Sequence, residues 1–217
     1  MGRLLVIDAL GASLLLTLWY LAFARYNHRK GAAALRWVQL ACRGGRGKVV
    51  ESRWFGSSRL QARLQFASRR FDNARLTVNL RPRALPLRWL FSYWRKQKET
   101  LTFEADLDFP PGFQLEVFNH RWECGKRRDE LSSKAWEFHS PGPVVLTTRA
   151  KWTQDLSPVV SALMSSREHS FLRVQFRPES PNFSATVALE AMQDPDAASG
   201  FLTVLRELAA GASAKHL

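Results

Sequence analysis

Cysteine, isoleucine and acidic residues are all scarce in this chain. Of its 217 residues two are cysteine, Cys42 and Cys124, and one is isoleucine, Ile7. Two cysteines cannot make the disulfide framework of a small secreted domain. They also leave no CxxC pair, and His120, His139 and His169 are too scattered to complete a zinc set with Cys124. No Ser-His-Asp order, glycine fingerprint or complete phosphate loop is present. The run GGRGK at Gly44–Lys48 fails as a phosphate loop, because Cys42 stands at the first glycine position and Val49 at the Ser/Thr position. We read it as a flexible joint. Nineteen acids against 32 bases leave a net charge of +13. Apolar residues at 46% and charged residues at 24% exclude a disordered tail, a collagen-like rod and a multi-span membrane protein.

The positive charge is concentrated. Arg25 to Lys98 holds 19 bases and only two acids, Glu51 and Asp72, while Glu99 to Leu217 holds 12 bases and 16 acids. Arginine outnumbers lysine by 24 to 8, which with the single isoleucine suggests a G+C-rich coding sequence. That bias weakens the reading of any one arginine but does not explain the difference between the halves.

The basic half follows one long hydrophobic run. Leu4 to Ala24 has 21 residues and a single charge, Asp8. As a helix it is about 31 Å long, the thickness of a bilayer core. Trp19 and Tyr20 fall near its end, where aromatic rings favour the interface. Asp8 lies about one turn inside the other edge, within reach of headgroups or of a neighbouring helix. Arg3 alone precedes the run, and Arg25, Arg29, Lys30, Arg36, Arg43, Arg46 and Lys48 follow it. The positive-inside rule then places the N-terminus outside and the following domain in the cytoplasm. The rival is an exported protein cut after Ala22-Phe23-Ala24, a small-x-small cleavage pattern. The length of the run and the bases directly after it favour an anchor. Val6, where serine or threonine is needed, excludes an N-myristoylation signal.

These boundaries give an anchor over 1–24, a basic juxtamembrane collar over 25–48 and a folded domain over 49–217. Within the collar, Ala34, Leu35, Val38 and Ala41 recur at helical spacing. Such a helix either lies in the membrane interface or docks on its own domain. In the first case Arg25, Arg29, Lys30, Arg36, Arg43 and Arg46 meet anionic lipid headgroups. Cys42 could then also carry a palmitoyl chain.

The domain shows period-two alternation at Leu60–Phe66, Ala74–Leu80, Leu101–Phe109, Phe113–Val117, Leu172–Phe176 and Phe183–Leu189. One-sided alternation predicts a mainly antiparallel sheet with one covered face. Pro110–Gly112 and Pro178–Asn182 read as hairpin links. Helices predicted over Leu85–Lys96, Pro158–Glu168 and Ala197–Ala210 would cover the apolar face, which makes the fold α+β. A weak similarity in element order suggests two ββαββ halves, 59–119 and 135–190.

Chemistry is hard to find. Glu104, Asp106 and Asp108 share a strand face, but about 6.8 Å between successive carboxylates is too far for one metal ion. Pairing with Arg59, Arg63 and Arg75 is the simpler use. His120 and Cys124 beside Glu123 and Asp129 form a charged turn with no nucleophile signature. No cofactor and no catalytic residue is expected. The unusual stretch is Arg81 to Lys98, RPRALPLRWLFSYWRKQK. On a helix Leu87, Leu90 and Trp94 form the expected core stripe, and Trp89 and Tyr93 form a second side. Arg88, Trp89, Tyr93 and Arg95 are therefore the expected partner-binding residues, facing a protein or the bilayer interface. The chain reads as a non-catalytic, single-pass accessory, assembly or scaffold subunit of a membrane protein complex, touching anionic lipid. A membrane-tethered nucleic-acid or nucleotide binder is the first alternative, with nucleic acid disfavoured by the absence of an RNA-binding motif. A metal-dependent hydrolase is the second.

Overall fold

The computed structural model describes residues 2–44, 47–67, 70–118, 137–138, 144–147, 171–192 and 195–213. The predicted second helix, the His120–Cys124 turn, His139, His169 and Arg46 lie outside them. The fold is α+β. A 43-residue helix, α1 (Gly2–Gly44), leads into β1 (Gly47–Phe55), β2 (Arg59–Phe66) and β3 (Phe71–Asn79). Then follow the short helix α2 (Pro86–Trp94), β4 (Thr100–Leu107), β5 (Leu115–Phe118), β6 (Glu137–Phe138) and β7 (Val144–Thr147). The chain ends with β8 (Phe171–Phe176), β9 (Phe183–Ala188), a 3-10 turn (Leu189–Met192) and α3 (Pro195–Ser213).

Among the described residues the strands form one antiparallel sheet in the order β1-β2-β3-β4-β9-β8-β5-β7-β6. The alternation read from the sequence becomes a burial pattern. Leu60, Ala62 and Leu64 of β2, Leu76 and Val78 of β3, and Leu101, Phe103 and Ala105 of β4 are all buried on one face. Phe183 sits at the centre of an aromatic cluster, 5.1 Å from the Phe176 ring, 5.9 Å from Phe71 and 6.1 Å from Phe103.

Of the two expected hairpin links, one holds and one does not. The Pro178–Asn182 link does join neighbours, since Phe176 pairs with Phe183. The Pro110–Gly112 link does not: β4 pairs with β9, and β5 pairs with β7 and β8. Alternation reports which face a residue occupies but carries no information on which strand lies beside it. The strand order also does not repeat between halves. The strand after the first helix, β4, lies beside β3, whereas β5 separates β7 from β8.

β1 was not foreseen. It continues the sheet as an edge strand, and a bulge between Val49 and Glu51 interrupts its pairing with β2. Gly47 opens it under the Phe66 ring, where an added Cβ would come within 2.7 Å. Gly47 is thus a close-packed entry into the sheet.

Among the described residues two helices cover the apolar face. α3 buries Ala198, Phe201, Leu202, Leu205, Leu208 and Ala209, the stripe predicted from Phe201, Leu205 and Leu208. The other cover is the second half of α1, which buries Ala34, Trp37, Val38, Ala41 and Cys42 in the same core. Trp37 packs on Phe201 with centroids 5.3 Å apart. Gly31 allows α1 to approach β1, since a Cβ there would stand 2.4 Å from the Trp54 indole. The collar is therefore a docked core helix, continuous with the hydrophobic run. Cys42 is buried in this contact, so acylation there has no access. Burial pushes its thiol up to about 11, only partly opposed by the charge of Arg206.

Trp37→Ala is expected to destabilise the domain by about 3–5 kcal/mol, the cost of emptying a large aromatic site. Arg36→Ala, one residue away and exposed, should stay within about 0.5 kcal/mol of the parent. Denaturant unfolding of the detergent-solubilised chain reads both.

Candidate functional site

Residues 3–43 of α1 form a helix long and apolar enough to cross a membrane, and its hydrophobic window near the N-terminus is unburied. This is the one such helix among the described residues. Leu4, Leu5, Ile7, Leu10, Leu14 and Leu15 are all exposed.

The domain begins to grip α1 before that run ends. Residues 19, 23, 27, 31, 34, 38 and 41 recur three or four apart and so share one side of the helix. Trp19 and Phe23 are half-buried on that side, and from Asn27 onward it is buried. The Trp19 indole donates a 3.0 Å hydrogen bond to the Arg83 carbonyl and packs edge-on against Trp89, centroids 5.9 Å apart. Phe23 packs against Trp19 with centroids 4.5 Å apart and the rings tilted by 43°. Four residues on, Asn27 is fully buried. Its amide donates to the Arg81 carbonyl at 3.0 Å, and its oxygen accepts from Arg83 at 3.2 Å.

The centre of this junction is Glu99, 5% exposed at the entry to β4. Its two carboxylate oxygens take Lys30 of α1 on one side and Arg83 on the other. The Arg81 backbone N–H donates to it at 3.1 Å. Burial pushes the Glu99 carboxyl up, but the hydrogen bonds from Lys30, Arg83 and the Arg81 backbone, with the Arg83 charge, outweigh it. The net pKa lies below the ordinary carboxylate range. Arg83 also lies over the Tyr26 ring at 5.1 Å. One carboxylate thus ties together α1, the Arg81–Arg83 loop and β4. Lys30, expected at lipid headgroups, is committed to this ion pair.

α2 hangs from the same loop. Leu85, extended before Pro86, starts it; Arg95 and the left-handed Lys96 end it. It contradicts the expected core stripe. Leu87 is 84% exposed and Trp94 73% exposed, and Leu90 and Phe91 are also exposed. The buried residue is Ser92, on the opposite side, whose hydroxyl donates to the Trp89 carbonyl at 2.8 Å. The reason is that α1 and α3 already cover the sheet, which leaves α2 at its rim. Of the expected partner-binding residues, Trp89 is half-buried against Trp19, while Arg88, Tyr93 and Arg95 face outward. Arg95 lies over the Phe91 ring at 4.0 Å.

The other expected basic residues form a stripe. Arg25, Arg29, Arg36 and Arg43 are exposed, and at 100° per residue they fall within about 40° of one another, opposite the docked side of α1. On the polar sheet face, register lines up Glu51, Arg63, Arg75 and Glu104 across four strands. Two acids flank two bases, which suits surface pairing better than a nucleic-acid track. Asp106 accepts from Asn73 at 3.0 Å and from Ser180 at 2.8 Å. Among the described residues no three His, Cys, Asp or Glu side chains converge as a metal site requires.

No protein-family model matches the chain, and no curated protein matches it in sequence.

Glu99→Gln is expected to cost about 3 kcal/mol, the low end for breaking a buried ion pair, because Arg83 is largely buried while Lys30 keeps a third of its side chain in solvent. Since the folded-state pKa of Glu99 is lowered, its contribution is complete above the unfolded carboxylate value and fades as pH falls through the folded one. Unfolding midpoints measured from pH 7 down to pH 3 should drop in the parent chain, and drop less in the Glu99→Gln variant.

Proposed function

We propose that this is a non-catalytic, single-pass membrane protein that acts as an accessory, assembly or scaffold subunit of a membrane protein complex. Its N-terminus is outside and its domain in the cytoplasm. The observation that carries this reading is that one helix is both the apolar run and a core element of the domain. A subunit built this way presents its folded surface at a fixed height and angle over the bilayer. The positive flank of the run supports the orientation.

Retention of the run is the reading that fits its contacts. Cutting after Ala24 would sever a continuous helix and remove Trp19, which bonds the Arg83 carbonyl. Arg25 and Arg29 are the bases that reach headgroups. Measured along α1, Arg36 and Arg43 lie about 18 and 28 Å beyond Ala24, further than the roughly 8 Å over which salt screens charge. They are available to an acidic protein surface instead. Asp8, unburied within the run, supports the same reading, since a carboxylate there needs a headgroup or a neighbouring helix.

The test is a native gel of gently solubilised membranes. The chain should migrate in a defined complex, with its N-terminus intact ahead of Leu4. Arg36→Glu with Arg43→Glu should release it from that complex while the domain stays folded. Migration as a small species would overturn the subunit reading, and a mature N-terminus at Arg25 would overturn the anchor.

A further inference from the structure

We infer that α2 is a second membrane contact, an interfacial helix lying against the anionic lipid surface beside the hydrophobic run of α1. The inference rests on the anchor reading above and names the surface that the domain turns to the bilayer.

The first argument is the inversion of the helix. In water an amphipathic helix buries its apolar stripe and exposes its polar one. α2 does the reverse: its buried residue is Ser92, and Leu87, Leu90, Phe91 and Trp94 project from the far side. At 100° per residue these four span about 100° of arc, centred roughly opposite Ser92. This is a continuous apolar face on a nine-residue helix, not scattered single residues.

The second argument is position. Trp89 touches Trp19, and Trp19 lies five residues, about 8 Å, inside the Ala24 end of the run. The Trp19–Arg83 bond ties the domain to α1 at this level, and the Lys30–Glu99 ion pair fixes it again about 16 Å further along the helix. α2 therefore stands at the depth where the run meets the headgroups, with its apolar face uncovered. A water-exposed site would be reached only if the run itself were in water.

The third argument is charge. Arg88 borders the apolar face, and Arg95, Lys96 and Lys98 follow its end, all exposed. Long basic side chains at such borders extend to anionic headgroups while the rings sit at the acyl boundary. Tyr93 and Trp94 are the residue types that favour this layer. A protein partner would also accept aromatic and basic residues, and the comparison of native membranes with pure lipid below separates the two.

The test places a single environment-sensitive probe on the full chain, reconstituted in vesicles of phosphatidylcholine and phosphatidylglycerol. Cys124→Ser removes the competing thiol, and Cys42 is buried. Probes enter at Leu87→Cys or Trp94→Cys in α2, at Leu14→Cys in the run and at Arg36→Cys on the outer side of α1. All four positions are exposed, so folding is not at stake. The α2 probes should shift to the blue, lose quenching by aqueous iodide and gain quenching by a lipid labelled near its headgroup. The Leu14 probe should be quenched by lipid label at greater depth, and the Arg36 probe by iodide alone. Embedded Leu14 with iodide-accessible Leu87 and Trp94 overturns the inference and leaves the anchor standing. An accessible Leu14 overturns both. If the α2 probes are shielded in native membranes but not in pure lipid, a protein covers α2 and the inference is wrong.

Discussion

The Glu99 carboxylate holds the arrangement together. It is buried, and it accepts from a lysine on α1, an arginine on the loop before α2 and a backbone N–H on that loop. Buried ion pairs add little net stability, because desolvation offsets the Coulomb gain. Their geometry is nonetheless demanding, since each charge must find its partner or remain uncompensated. Here that demand sets the position of α1 against the start of β4. Asn27 and Trp19 extend the same lock along α1, through the Arg81 and Arg83 carbonyls.

With that junction in place, α1 lives in two environments. Its first half has no buried side chain before Trp19, and its second half supplies Trp37, Val38 and Ala41 to the core. A helix shared in this way leaves no loose tether between the apolar run and the domain. Among the described residues α3 supplies the further cover on the apolar face of the sheet. α2 is left at the rim with its apolar side outward, the surface we propose lies against the bilayer.

The strands and α3 were legible because their signals are local. Alternation at Leu60–Phe66 or Leu101–Leu107 reports a face directly, and Phe201, Leu205 and Leu208 report a helix stripe. α2 was legible as a helix and misread as a core element. Leu87, Leu90 and Trp94 look like any buried stripe until the sheet is seen to be covered already. The grip on α1 was also present in the sequence, as Trp19, Phe23, Asn27 and Ala34 at helical spacing, but the boundary drawn at Ala24 divided it. A switch from apolar to basic composition marks where charge begins, and it does not mark where packing begins. Glu99 carried no sequence signal at all, being one acid in a chain that has 19.

Composition and pattern alone determined that this chain has one apolar run of membrane length, a basic stretch behind it and an α+β domain built on a one-sided sheet. Those properties follow from residue type and spacing along a short window. Tertiary structure decided the rest: which strands are neighbours, that the collar is part of the core, that Lys30 belongs to Glu99, and that α2 faces outward. Each of these depends on which surfaces other segments had already covered, and that competition for buried area is settled only when residues far apart in the chain are brought together.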